Sequence, residues 1–255
     1  MTEPLVCCVM LTRDRPAMAA RAVAAFRAQT YGRFSVLVYD TSPVMPAEYP
    51  EYGSNSVLYH YRGATDKTIG ALRNEAIEFA MIAKQPKQFD IFLHADDDDW
   101  SHPNRISEQV ALLHETGAEA VGYHEMLFWR TRHAQEIPDG SSGETGEAWL
   151  YSKRHGLPHA LGTSLCYHRS VWEKKPFKDL PNTAKGTGED YEFIKGLNLV
   201  SVSSIAEDGE PRMVASIHSG NTSTGYDLEY LVSRGSQEWK RRPDWDEQLR
   251  HMMAL

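Results

Sequence analysis

Ile91-Phe92-Leu93-His94-Ala95-Asp96-Asp97-Asp98-Asp99-Trp100-Ser101-His102-Pro103 is the stretch whose reading decides the fold. An apolar run of strand length, Ile91 to Ala95, ends directly in four carboxylates. Carboxylates this close repel one another and resist ionising together, so the cluster is easiest to understand if a cation sits among them. Hard oxygen ligands suit Mg2+ or Mn2+, and Mg2+ is usually held by one or two carboxylates while substrate phosphates complete its shell. A nucleotide is then the implied substrate. The alternative is a solvated acidic loop. Position argues for the site, because ligands of open α/β sheets gather at the carboxyl ends of the strands. An EF-hand is excluded, since its loop needs glycine at the sixth position and Ser101 stands there.

Working outward, Leu5 to Leu11 is a continuous apolar run, as expected of a strand covered on both faces. Asp14 is placed to cap a helix with Pro16 in its first turn, and Met18, Ala22, Val23 and Phe26 follow at helical spacing. Phe34 to Tyr39 and Val57 to Tyr61 read as strands, and Thr68 to Ala83 reads as a helix with Ile69, Leu72, Ala76 and Phe79 inward. After the acidic run, Ile106, Val110 and Leu113 mark a helix beginning near Pro103. Strands alternating with helices predict right-handed βαβ units and an α/β sheet. The second half is less regular. Ala118 to Trp129 reads as a long strand, residues 133–148 have the Gly, Ser, Glu and Pro content of a loop or lid, and Met213 to Ile217 is a strand leading into His218. Gly188-Glu189-Asp190 opens a helix. Residues 226–255 read as a polar tail, helical in two pieces around Pro243.

The 255 residues are 41% hydrophobic and 24% charged, ordinary for a globular chain of one large domain or of one domain with a C-terminal extension. A formal net charge of −8 argues against a long nucleic-acid footprint, which needs clustered Lys and Arg. Three cysteines, two of them adjacent in the first strand, make no disulfide framework; reduced thiols predict the cytoplasm. No apolar stretch of about 18 residues is present, and the N-terminus has no basic region before a hydrophobic core, so neither a membrane span nor a signal peptide is expected.

The order of motifs resembles glycosyltransferase family 2, the inverting, nucleotide-sugar-dependent enzymes of the GT-A fold. Leu11-Thr12-Arg13-Asp14-Arg15-Pro16 is similar to that family's P-T-Y-N-R-P, and Ala28-Gln29-Thr30-Tyr31 to its A-Q-T-Y. Val38-Tyr39-Asp40-Thr41-Ser42 is similar to V-V-D-D-G-S, and Gly70-Ala71-Leu72-Arg73-Asn74 to a G-x-x-x-A-R-N helix start. Asp96 to Pro103 matches D-x-D-D-x-x-x-P, Glu189-Asp190 an E-D pair, and His218 to Ser223 a late H-x-G-N-T-S. The matches span most of residues 4–223. Departures fall at Leu11, Arg13 and the single Asp40, all near the base pocket.

The resemblance implies a GT-A type, Rossmann-like, mostly parallel sheet flanked by helices, with a transferase domain over 1–225 and a helical tail over 226–255. Residues 1–116 would form the nucleotide-binding half and 117–225 the acceptor half. It implies a Mn2+ or Mg2+ cofactor, with Asp98 as the ligand carried over from D-x-D; Asp96 shares its side of an extended chain and Asp97 takes the other, toward the ribose. His218 would complete the metal shell or touch the diphosphate. Asp190 is the candidate base, the alternative being a helix-start carboxylate, and Glu189 a contact for the acceptor hydroxyl. Asp40, Thr12 and Arg73 would line the nucleotide, with Lys67 nearby. Trp100 is the favoured sugar platform over Trp149 and Trp172. The implied partners are a nucleotide-sugar donor, UDP-linked by preference, and a hydroxyl-bearing acceptor: glycan, lipid-linked sugar, protein, small molecule or modified DNA base. A nucleotidyltransferase is the competing enzyme class, but the loop Thr12 to Pro16 lacks the glycines such enzymes use to cradle phosphate. A non-catalytic nucleotide- or glycan-binding protein on the same fold is the third reading.

Overall fold

The computed structural model describes residues 3–46, 56–83, 88–132, 145–153, 158–181, 188–218, 228, 233 and 236–254. Strand β1 (Val6–Thr12) sits centrally, parallel to β2 (Phe34–Asp40) on one side and to β4 (Ile91–His94) on the other, and β3 (Val57–Tyr61) extends the parallel set beyond β2. Alternation along β1 decides which helix covers which face. Val6, Cys8 and Met10 pack with Ala19, Ala22, Val23 and Phe26 of α1 (Pro16–Arg27) and Ile106, Val110 and Leu113 of α3 (Arg105–Thr116). Cys7 and Val9 point the other way, onto Leu72, Ala76, Ile77 and Ala80 of α2 (Ile69–Ala83). Each fully buried Val, Leu, Ile, Phe or Met side chain of these two layers contributes about 1.5–3 kcal/mol relative to an exposed one. Gly117, at φ 63°, takes the left-handed conformation that stops α3.

The other half of the sheet is mixed. Strand β6 (Ala120–Arg132) is its axis, antiparallel to β7 (Thr145–Ser152) and β8 (Cys166–His168) and parallel to β9 (Leu199–Ser203) and β10 (Met213–Ile217). A register shift between Tyr123 and Glu125 lets β6 serve β8 and β9 at its start and β10 further along. Strand β8 joins the halves by pairing antiparallel with β4, and β5 (Trp100–Ser101) pairs with β10. With β11 (Trp239–Arg241) at one edge, the order along the main path is β11-β7-β6-β8-β4-β1-β2-β3.

Two sequence expectations are corrected. Asp14 does not cap α1: it lies at φ 56° with Arg15 at the cap position, and its N–H donates to Ser42 Oγ at 2.8 Å. The tail is not wholly helical, because β11 (Trp239–Arg241) lies antiparallel on β7 before the closing helix Asp246–Ala254. Of the anticipated loop 133–148, residues 133–144 lie outside the described ones, and β7 already begins at Thr145. The three cysteines are free and buried; Cys8 stands opposite Leu93 across β1 and β4, and Leu93 opposite Cys166 across β4 and β8. No helix among the described residues is long and apolar enough to cross a membrane.

Candidate active site

The carboxyl ends of β1, β2 and β4 come together, with Thr12 in register with Asp40 and the acidic run leaving β4 beside them. Thr12 Oγ1 donates to Asp97 Oδ2 at 2.7 Å, and Arg15 Nη1 donates to Asp97 Oδ1 at 3.1 Å and to Asp98 Oδ2 at 3.2 Å. Burial, reinforced by the neighbouring Asp98 charge, pushes the Asp97 carboxyl up to about 6, while Thr12 and Arg15 pull it down. Strand β10 reaches the run from the other half of the sheet: Ser216 Oγ donates to the Asp98 carbonyl at 2.5 Å, and His218 Nε2 lies 2.9 Å from Asp98 Oδ2. Arg15, just after β1, and His218, just after β10, thus meet on one carboxylate oxygen.

After the short helix α4 (Arg169–Lys174), a second acidic group stands on α5 (Glu189–Ile194), whose first turn holds Glu189 and Asp190. Arg73, buried on α2, connects it to the run: Nη2 is 3.9 Å from Asp96 Oδ1, and Nε is 3.8 Å from Glu189 Oε1 and 3.7 Å from Asp190 Oδ1. These contacts are electrostatic, too long for direct hydrogen bonds. Arg73 Nε, Arg73 Nη1 and Asp190 Oδ1 are buried atoms without a hydrogen-bond partner among the described residues. Burial pushes the Asp190 carboxyl up to about 7; Arg73 opposes this, and the Glu189 and Asp96 charges add to it. A carboxyl poised near neutrality is suited to take a proton.

The turn Gly162–Ser164 packs directly on Asp190. A Cβ at Gly162 would stand 1.9 Å from Asp190 Oδ2, so only glycine admits the carboxylate there. Its carbonyl lies 2.6 Å from His94 Nδ1, whose ring is also 3.9 Å from Asp190 Oδ1. Burial, with Arg73 adding to it, drives His94 well below its usual range, so the imidazole is neutral, its Nδ1–H donated to the Gly162 carbonyl and Nε2 left to accept from Tyr167 at 3.3 Å. Arg105, with no exposed surface, braces the same turn by donating to the His94 carbonyl at 2.9 Å and the Thr163 carbonyl at 3.1 Å.

Among the described residues no three His, Cys, Asp or Glu side chains form a self-sufficient metal cage. The Asp98 and His218 pair, one carboxylate oxygen beside one imidazole nitrogen, fits instead a divalent cation that arrives with phosphate oxygens of its own.

Most of the residues singled out from sequence gather here: Thr12, Asp97, Asp98 and His218 in one group, Asp96, Arg73, Glu189 and Asp190 in the next. Others do not. Asp40 is fully buried, with Oδ1 accepting from the Ser42 N–H and hydroxyl and Oδ2 from the Tyr59 hydroxyl, so its carboxylate closes the turn after β2. Trp100 lies on β5, which pairs with β10, and its half-buried indole packs with Leu127, Val214, Leu249 and Met253. Trp149 is buried in another cluster, Trp172 Nε1 donates to Asn74, and Lys67 pairs with Glu75. Sequence reading passed over His94, hidden inside an apolar run, and Arg105, which looks like an ordinary first-turn cation. Gly162 carried no signal beyond its own identity.

Neither a family model nor a curated protein sequence matches the chain. Solved structures do. TarS 1–349 of S. aureus in complex with UDP-GlcNAc superposes with a TM-score of 0.60 at 13% identity, over 87% of this chain and 61% of that one. The mannosyltransferase PcManGT of Pyrobaculum calidifontis, in complex with GDP-Man and Mn2+, gives 0.55 at 13% identity, over 100% and 70%. The fold is thus of the GT-A type that the resemblance implied. The chain spans about three fifths of the TarS 1–349 structure.

Proposed function

We propose that this protein is a glycosyltransferase that moves a sugar from a nucleoside diphosphate donor to an acceptor hydroxyl, with inversion at the anomeric carbon. The observation that carries the reading is the bridge through Arg73, which puts a near-neutral, half-buried carboxyl, Asp190, beside an acidic run able to share a divalent cation. An inverting displacement needs those two parts, a base for the attacking hydroxyl and charge neutralisation for the leaving group.

Asp190 takes the hydroxyl proton as the oxygen forms its bond to the anomeric carbon, and the bond to the diphosphate breaks with its electron pair on the departing phosphate. The orphaned Arg73 N–H groups and Asp190 Oδ1 are the polar lining that a bound hydroxyl would satisfy. Asp98 and His218 would hold a Mn2+ or Mg2+ ion, with Asp96 near enough to Arg73 to tune the local charge. When bound, that ion neutralises charge on the leaving diphosphate. Thr12, Asp97 and Arg15 orient the nucleotide side of the site, and Glu189 faces the acceptor side.

UDP-GlcNAc and GDP-Man, held by the structurally similar proteins, are the first donors to try. The test is a nucleotide-sugar panel with Mn2+, reading donor stabilisation of the fold and then nucleoside diphosphate release with an acceptor library. Metal-dependent binding of one donor, followed by transfer, is the expected result; binding of free nucleoside triphosphate with pyrophosphate release would replace the reading with nucleotidyl transfer.

A further inference from the structure

Asp99 has no part in the chemistry just described, yet both of its oxygens are held by elements distant in sequence. Its side chain is buried, at 8% exposure, and both oxygens are engaged. Oδ1 accepts from the Ser216 N–H at 3.0 Å, and Oδ2 accepts from Thr163 Oγ1 at 2.5 Å. Ser216 lies on β10 two residues before His218, and its hydroxyl holds the Asp98 carbonyl. Thr163 follows Gly162, the residue on which Asp190 rests. One carboxylate therefore touches the strand that delivers His218 and the turn that backs Asp190, across 117 and 64 positions of sequence.

We propose that Asp99 is a positioning residue that fixes the Gly162–Ser164 turn, and through it Asp190, relative to the donor-binding strand β10. The inference rests on Asp190 being the base. Hydrogen bonds weaken steeply with distance and misalignment, so a carboxyl group bonded on each side sets a distance between the two elements. Arg105 braces the turn from its opposite flank through the Thr163 carbonyl, leaving the Thr163 hydroxyl as the contact that refers the turn to the acidic run. A misplacement of about 1 Å at a reacting group costs up to ~100-fold in rate.

Thr163→Val removes that hydroxyl at nearly constant volume, and Thr163→Ser keeps it. The expected result is a loss of about tenfold or more in turnover for Thr163→Val, with donor affinity within about threefold of wild type and recovery in Thr163→Ser. In an Asp190→Asn background the same substitution should cost nothing further, because a residue acting through the base has nothing left to act on. A loss that persists in full beside Asp190→Asn, or that appears as weakened donor binding, overturns the proposal, as does wild-type turnover in Thr163→Val. An arm free of any donor follows the Asp190 side-chain carboxyl by carbon-13 NMR, assigned by its disappearance in Asp190→Asn. A changed titration in Thr163→Val supports the link and an identical one refutes it. Failure of wild type to transfer any sugar is a separate result, which removes the glycosyltransferase reading and leaves the NMR arm to decide the contact.

Discussion

Gly162→Ala adds one methyl group where the structure has no room for it. The new Cβ would lie 1.9 Å from Asp190 Oδ2, 2.4 Å from its Cγ and 2.8 Å from its Cβ. Ordinary contact begins near 3.5 Å, so the carboxylate must retreat by roughly 1.5 Å, and the closeness of Asp190 Cβ means that rotating the side chain alone does not relieve the clash. The turn is braced by Arg105, and Asp190 is fixed to α5, so the strain falls on the contact between them. Overpacking of this size costs typically ~1–3 kcal/mol, and for a chain of this length each kcal/mol lowers Tm by about 2–4 °C. A displaced base should also lower turnover by about 100-fold. Thermal unfolding and steady-state transfer, run on the same preparation, measure both. A variant with wild-type turnover and a lowered Tm would refute the placement of Asp190 at the reacting hydroxyl, since the clash would then be real and chemically irrelevant.

Asp190→Asn should lower turnover by ~10²–10⁴-fold with donor affinity nearly intact, read by isothermal titration beside initial rates; collapse of donor binding would assign Asp190 to the nucleotide site. Because burial lifts this carboxyl to about 7, wild-type turnover should rise with pH through that value, and a profile already flat from pH 5 upward would exclude Asp190 as the base. The stability sign follows: between the unfolded value of 3.8 and about 7 the folded state holds the extra proton, so the Asp190 contribution to stability falls as pH rises across that window. Asp190→Asn should therefore gain stability over wild type above pH 7, measured by urea unfolding at pH 5 and pH 8. Asp98→Ala should abolish the Mn2+ dependence of nucleoside diphosphate binding, and equal affinity with Mn2+ and with chelator in wild type would argue against a metal at this site.

The first half of the fold is legible because its signals are local. Val6–Thr12 is apolar on both faces, Pro16 opens α1, and the inward positions of α2 recur at helical spacing, so each element is decided within its own window. The second half depends on partners far away in sequence. Cys166–His168 is a strand of three residues because β4 and β6 flank it, and Trp239–Arg241 because β7 offers an edge. The acidic run, Arg73 and Asp190 were legible as chemistry out of place in ordinary packing. Buried polar residues that serve the backbone were not: Arg105 has no exposed surface yet sits in a first helical turn where a cation normally meets solvent. Trp100 shows the reverse, since its direction is set by the two-residue pairing of β5 with β10.

Cys7, Cys8 and Cys166 lie in the middle of the sheet, each with no exposed surface. Burial holds the Cys8 thiol well above its ordinary range and lifts Cys166 to about 12, so these two thiols are almost wholly unionised, and all three are shielded from reagents. Because Cys8, Leu93 and Cys166 face one another across three adjacent strands, no fraying at the rim can uncover them. Alkylation of these sulfurs is therefore a built-in clock for whole-domain opening: slow in reagent excess, accelerated only by events that part the central strands, and able to report how firmly a bound donor holds the sheet shut without any added probe.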